Sequence, residues 1–328
     1  RSPTLDKTRK EVVSSLSRIF KDAAKVVMSD NEIDDRDMDF IDMIRRVHGR
    51  FRQPVDFIVN DYKKYSGIEV LHTNDEEEQI QYLKTDIANG SSFTCPCNTK
   101  MRAHELATRL RQDFPEVKSK INCITREQGR FDAANVDSEW SDSFVIYSPT
   151  ITTGIDYNPA TPQNVYLFLH GERTVSPHTA LQMIARNRNI KRVYICSTGM
   201  RNTPEWRTRK EMDASFDGLK GNIQSMSILK DLRNSTFNAC TGTFEFSENK
   251  FTELFKKDQW DDNMMRSSYM HNLNRLLESR GFKVIRPSLK KKLEQMQVKY
   301  DWAPVKDLVK QERNEKFNRY LGSALPEA

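Results

Sequence analysis

A chain of 328 residues, 37% hydrophobic and 30% charged, is long enough to bury two cores, and its 17 Phe and 10 Tyr exclude general disorder. No run approaches eighteen apolar residues and no charged-then-apolar leader opens the sequence, so neither a membrane-spanning helix nor a secretory signal is expected. Five scattered cysteines read as reduced intracellular thiols, and Cys95 and Cys97 lack the second pair or nearby histidines that a metal site needs, so no metal is assigned.

The formal net charge of +6 is concentrated near the end. Residues 281–320 hold 11 Lys or Arg against 5 Asp or Glu, including the run Lys290, Lys291 and Lys292. Such a segment suits the backbone of a nucleic acid, and Trp302 and Phe317 among its charges suit base stacking; a solvated helical surface would use the same lysines.

In chain order, residues 5–23 have the apolar spacing of a helix, and AKVVMSD reads as a short strand ending at Asp30. DDRDMDFIDMIRRVH then places Met38, Ile41 and Ile44 on one helical face, and PVDFIVN reads as another strand. The seven acids of DNEIDDRDMDFID fall largely opposite that face, which suits a solvated helix better than a nuclease-like metal site. This opening part is α/β but has too few strands for a complete layer.

From residue 75 the alternation is regular. DEEEQIQYLKTDIANG is a helix with Ile80, Leu83 and Ile87 inward and a stop at Asn89-Gly90. SSFTCP is a strand, KMRAHELATRLRQDF a helix and KINCIT a strand, followed by an irregular polar segment to Asp142. SFVIYSP, QNVYLFLHG and KRVYICS are further strands, with the helix SPHTALQMIARNR before the last. The pattern predicts an α/β fold with a parallel sheet covered on both faces, and beyond residue 200 a mainly helical, basic region.

Ligands of open parallel sheets sit at the carboxyl ends of strands. The stretch YSPTITTGIDY, after the apolar FVIY, is expected at such an end. Thr150, Thr152 and Thr153 offer hydroxyls, Gly154 allows close backbone approach, and Asp156 supplies a carboxylate. The same residues also suit a turn that satisfies its own backbone. Downstream, Ser176-Pro177 opens a helix on which Gln182 and Arg186 are four apart, with Arg188 just beyond. Arginines beside such a loop suit the neutralisation of triphosphate charge.

TITTGID followed by QMIARNR resembles the fifth and sixth motifs of superfamily 2 helicases. Together with VVMSD and SFTCPCNTKMRAHELATRL, the pattern is similar to the origin-of-replication-binding helicases of herpesviruses and their relatives in large DNA viruses and mobile elements, over roughly residues 25–200. The resemblance implies two RecA-like domains with ATP and Mg²⁺ between them: residues 1–70 as the last part of the first, 71–200 as the second, and 201–328 as a mixed, mainly helical domain with a basic tail. It implies that Thr153, Gly154 and Asp156 couple nucleotide to DNA, that Gln182 faces the nucleotide, and that Arg186 or Arg188 reaches its phosphates. Thr94, Asn98 and Lys100, with Thr150 and Thr152, become DNA-backbone contacts, and Asp30 a magnesium contact. DNA, a first RecA-like domain and replication proteins are the implied partners, in a nucleus or viral replication site.

The departures matter as much. Where the commoner sixth motif reads Q-x-x-G-R-x-G-R, this chain has Ala185, Arg188 and Asn189 in place of the two glycines and the last arginine. None of the twelve glycines opens a G-x-x-x-x-G-K-[ST] phosphate loop, so this chain alone is not expected to bind ATP tightly. Either the loop lies upstream of a C-terminal fragment, or the chain is a nucleic-acid-binding or assembly module that does not hydrolyse ATP.

Overall fold

The computed structural model describes residues 58–125, 135–149, 155–171, 175–200, 203–218, 234–238, 243–247, 250–285 and 302–324, with residue 56 and shorter stretches within 15–28 and 37–42. The chain divides into two compact units, Tyr62–Thr203 with Met265–Ala328, and Arg1–Asp61 with Pro204–Met264.

The larger unit is an α/β layer structure. Its elements in chain order are β1 (Glu69–Thr73), α1 (Glu76–Ala88), β2 (Phe93–Pro96), α2 (Lys100–Asp113), β3 (Ile121–Ile124), α3 (Val136–Trp140), β4 (Phe144–Tyr147), β5 (Gln163–His170), α4 (Pro177–Ile184), β6 (Ile190–Thr198), α5 (Tyr269–Ser279), β7 (Lys283–Ile285) and α6 (Ala303–Ala324). The seven strands form one sheet in the order β3-β4-β2-β5-β6-β1-β7, with every pairing parallel. This is the α/β, RecA-like arrangement.

Right-handed crossovers send the connections to opposite faces according to the direction of travel along the sheet. Strand alternation follows suit. Val165, Leu167 and Leu169 of β5 point into the core shared with α4 and α5, while Tyr166 and Phe168 point into the core shared with α1 and α2. Because both faces are covered, β2 and β4 are buried along their whole length, which is why they read as short unbroken apolar runs.

Local signals set the helix ends. Asp75 caps α1 by accepting from the amides of Glu77 and Glu78, Thr99 caps α2 through Arg102, and Ser176 caps α4 with Pro177 at its first position. Gly281, between α5 and β7, has φ 98° and lies so close to Lys63 that an added Cβ would sit 2.8 Å from the lysine Cβ. Glycine is therefore required twice over at this turn.

α6 reaches the sheet unit through Trp302, Val305 and Val309. Trp302 stacks on two arginines of α2, its ring centre 3.8 Å from the guanidinium carbon of Arg102 and 4.9 Å from that of Arg109. Both arginines are buried and paired: Arg102 with Glu76 and with Glu105 at 3.1 Å, Arg109 with both oxygens of Glu77 at 2.7 and 2.6 Å. Trp302 is thus bound within the fold, not offered to bases, whereas Phe317 is exposed on α6.

The smaller unit contains helical stretches within 15–22 and 37–42, the helix Arg209–Gly218, most of the helix Lys250–Ser267, and a hairpin of Asn234–Asn238 with Thr243–Ser247. Phe20 meets Phe40 edge-on, Phe216 meets Phe255 likewise, and buried Lys256 pairs with Asp213 at 3.1 Å.

Three expectations change. Lys25–Met28 and Ile58–Asn60, read as strand from their apolar content, are not in strands, and Ile58 and Val59 are exposed. β1 and β7 were not expected: EVLHT buries only Val70 fully and KVI is three residues long, so neither has the apolar run of a central strand. Residues beyond 264 rejoin the sheet as α5, β7 and α6 instead of standing apart with the rest of 201–328.

Candidate functional site

The first surprise is the position of Asp156. β4 ends at Tyr147, and after Pro149 the chain is next described at Ile155, already beside the start of β6: Tyr157 forms a parallel bridge with Asn187, just ahead of the β5–β6 pairing that starts at Gln163 and Ile190. Asp156 therefore lies at the amino edge of the sheet, not at the carboxyl end where sequence reasoning put it. The reason is that β4 and β5 both run parallel to β2, so a chain that leaves β4 at the carboxyl end has to be back at the amino edge before β5 begins.

α4 makes the same return journey and ends at Ile184, so the helical face that Gln182 and Arg186 were expected to share is interrupted. Gln182 is exposed on α4, while Arg186 and Arg188 lie in the turn leading to β6.

That turn and residues 155–159 are held together by backbone. Tyr157 N donates to Arg186 O at 3.0 Å and Arg188 N donates to Tyr157 O at 2.8 Å, so residues 186, 187 and 188 alternate as they would in a strand. Asn187 and Tyr157 point inward and are fully buried. Arg186 and Arg188 point outward and take hold of the same loop. Arg186 Nη1 donates to the Ile155 carbonyl at 2.9 Å, and Arg188 Nε pairs with the exposed carboxylate of Asp156.

Lys64 stands within electrostatic range of Arg188 and Asp156, and on the other side of the loop the Asp137 carboxylate accepts from the Asn158 amide at 2.8 Å. Burial lowers the Arg186 pKa, and the Arg188 charge adds to that. Arg188 moves the other way: burial lowers its pKa, but the hydrogen bond and charge of Asp156 outweigh this and raise it. Lys64 is lowered, first by partial burial and then by Arg188, with Asp156 opposing. Burial is thus the first cause of the lowering at Lys64 and Arg186, with the Arg188 charge second, while Asp156 stabilises the charge of Arg188.

Beneath the edge, Tyr157 spends its hydroxyl twice, donating to the Trp140 carbonyl at 3.1 Å and accepting from Gln163 Nε2 at 2.8 Å. Tyr157→Phe removes both bonds while keeping the ring. It is expected to lower stability by about 1–2 kcal/mol, read as a fall in the denaturant midpoint at unchanged slope.

The residues expected to contact nucleic acid separate into two kinds. Thr94 is buried in β2, its hydroxyl accepting from Asn187 Nδ2 at 3.4 Å, and is withdrawn as a surface contact. Asn98 is buried too. Its Nδ2 donates to the His170 carbonyl at 3.1 Å and its Oδ1 accepts from the His170 amide at 3.0 Å, so it extends the β2–β5 pairing and is not available to a phosphate. Lys100 remains partly exposed in the first turn of α2, at the opposite edge from Arg188. Asp30, Thr150, Thr152, Thr153, Gly154, Lys290, Lys291 and Lys292 lie outside the described residues.

Sequence reasoning missed Lys64, Tyr157 and Asn187. Asn187 stood between two residues singled out for charge, and Tyr157 next to one. The in-and-out alternation of a strand-like 186–188 would have found Asn187 had the turn not been read as helix.

No known family model matches the chain. It is 29% identical over 134 residues, 40% of this chain and 16% of the other, to a protein of Acanthamoeba polyphaga mimivirus named as a replication origin-binding protein. The match thus spans a small part of that relative.

Proposed function

We propose that this chain acts in DNA replication and supplies the second RecA-like domain of an ATP-dependent DNA helicase. The observation that carries the reading is the meeting of Asp156, Arg186 and Arg188 at one edge of the parallel sheet, from two segments whose sequences resemble helicase motifs. The name of the mimivirus relative supports a replication role.

The described residues suit the outer, phosphate-facing part of a nucleotide site. Arg188 is the group best placed to leave its partner for a phosphate, with Lys64 adding charge and Arg186 fixing the loop backbone. Bound ATP, with Mg²⁺, supplies the free energy of hydrolysis that moves the protein on DNA. The inner part of the site, a phosphate loop, has no counterpart in this sequence. A first RecA-like domain is therefore the partner this reading requires.

The absence of that loop from the sequence favours a second reading, a module that binds nucleic acid without hydrolysing ATP. Both readings require DNA binding through phosphate contacts. Filter binding of single-stranded and duplex DNA over a salt series tests it: with about three phosphates neutralised, affinity falls about 40-fold on duplex and about 20-fold on single strands between 50 and 200 mM salt. Undetectable or salt-independent binding would overturn both. ATP hydrolysis, once a phosphate-loop domain is joined upstream, separates the first reading from the second.

A further inference from the structure

The side chain between the two arginines is the most fully bonded polar group in this part of the fold. Asn187 has no exposed surface. Its Nδ2 donates to Gln163 Oε1 at 3.2 Å and to Thr94 Oγ1 at 3.4 Å, and its Oδ1 accepts from the Asn189 amide at 3.0 Å. Gln163 continues the chain of bonds to Tyr157, and Tyr157 to the backbone of α3. Asn189 Nδ2 donates to the Pro159 carbonyl at 2.9 Å, closing the turn on the other side.

We infer that Asn187 is a positioning residue that fixes Arg186 and Arg188 from within the core and, through Thr94, joins them to β2, the strand that leads to Lys100. The inference deepens the functional reading above and rests on it only for what the arginines meet. A strand-like residue whose side chain is anchored on three sides cannot rotate. Its neighbours on either side are then held on the opposite face, where Ile155 and Asp156 receive them. The network crosses from the 186–189 turn to β5 and β2, strands far apart in sequence, so a displacement of β2 is felt at the arginines without any contact between Lys100 and Arg188.

A purely structural role would make Asn187 and Thr94 matter for stability alone. The test is therefore spectroscopic, on the 328-residue chain. The guanidinium N–H resonances of Arg186 (Nη) and Arg188 (Nε) are assigned with R186K and R188K, then followed in Asn187→Leu and Thr94→Val. Both resonances are expected to move toward the position of free arginine in Asn187→Leu and part of the way in Thr94→Val. Affinity for inorganic tripolyphosphate should fall about tenfold in Asn187→Leu, by analogy with the loss seen when the groups that orient metal ligands are removed.

Resonances at their original positions in both variants would overturn the inference. If Asn187→Leu does not fold, Thr94→Val decides, because valine keeps the volume and β preference of threonine in a buried strand. Failure of the unaltered chain to bind tripolyphosphate would count against the functional reading and leave the resonance test of Asn187 in force.

Discussion

Arg188→Ala is expected to lower DNA-stimulated ATP hydrolysis by about a thousandfold in the intact motor proposed here, the lower end of what a phosphate-reaching arginine contributes. Its partner explains why Arg188 is the better candidate of the two. The Asp156 side chain is 71% exposed, and exposed pairs of this kind contribute about 0–1 kcal/mol, so releasing the guanidinium to a phosphate requires little. Folding stability should accordingly change by no more than about 1 kcal/mol. Arg188→Lys keeps the charge but loses the planar fork and should recover only part of the rate.

Arg186→Ala should behave differently. Its guanidinium holds the Ile155 carbonyl, so the variant loosens the loop that carries Asp156 and lowers both rate and melting temperature. Hydrolysis assays with thermal melts of both variants read the two effects apart. Full activity in Arg188→Ala would remove the role assigned to it.

The second large effect concerns the layer between α1, α2 and α6. Arg109→Met is expected to cost about 3 kcal/mol of folding stability, the scale on which breaking a buried pair by removing one partner is felt. Arg109 is only 2% exposed, and it binds Glu77 through two parallel hydrogen bonds while lying under Trp302. Methionine fills much of the space but leaves the Glu77 carboxylate, 22% exposed in the intact protein, without its fork. Equilibrium denaturation measures the loss. Amide exchange in the first turns of α6 should quicken at the same time, because Trp302 then stacks on Arg102 alone.

Much of the parallel sheet was legible because its central strands are short, continuous apolar runs between capped helices. Asp75, Thr99 and Ser176 mark helix starts by chemistry that does not depend on tertiary context. β1 and β7 were not legible, because a strand near the sheet edge needs fewer apolar residues and loses its alternation signal. The meeting of Arg188 with Asp156, and of Arg186 with the same loop, could be anticipated from residue types and from the resemblance. Its location could not, since the edge reached by 155–157 depends on the path back from β4. Thr94 and Asn98 show the limit of reading polar residues near strand ends as binding groups. The same hydroxyl and amide serve as internal struts once neighbouring strands are in place, and which strands are neighbours is not a property of the local sequence.

The sheet order has a consequence for how this protein is made. β1, the first strand, lies between β6 and β7, so it pairs with residues 193–196 on one side and 283–285 on the other. During vectorial synthesis β1 waits for more than a hundred residues to find its first neighbour, and its second edge stays open until the chain of Pro204–Met264 has also been made. Such high contact order favours slow folding, and an open edge in the interval invites pairing with another nascent chain. A polypeptide ending before Lys283 is expected to aggregate even though it contains Asp156, Arg186 and Arg188.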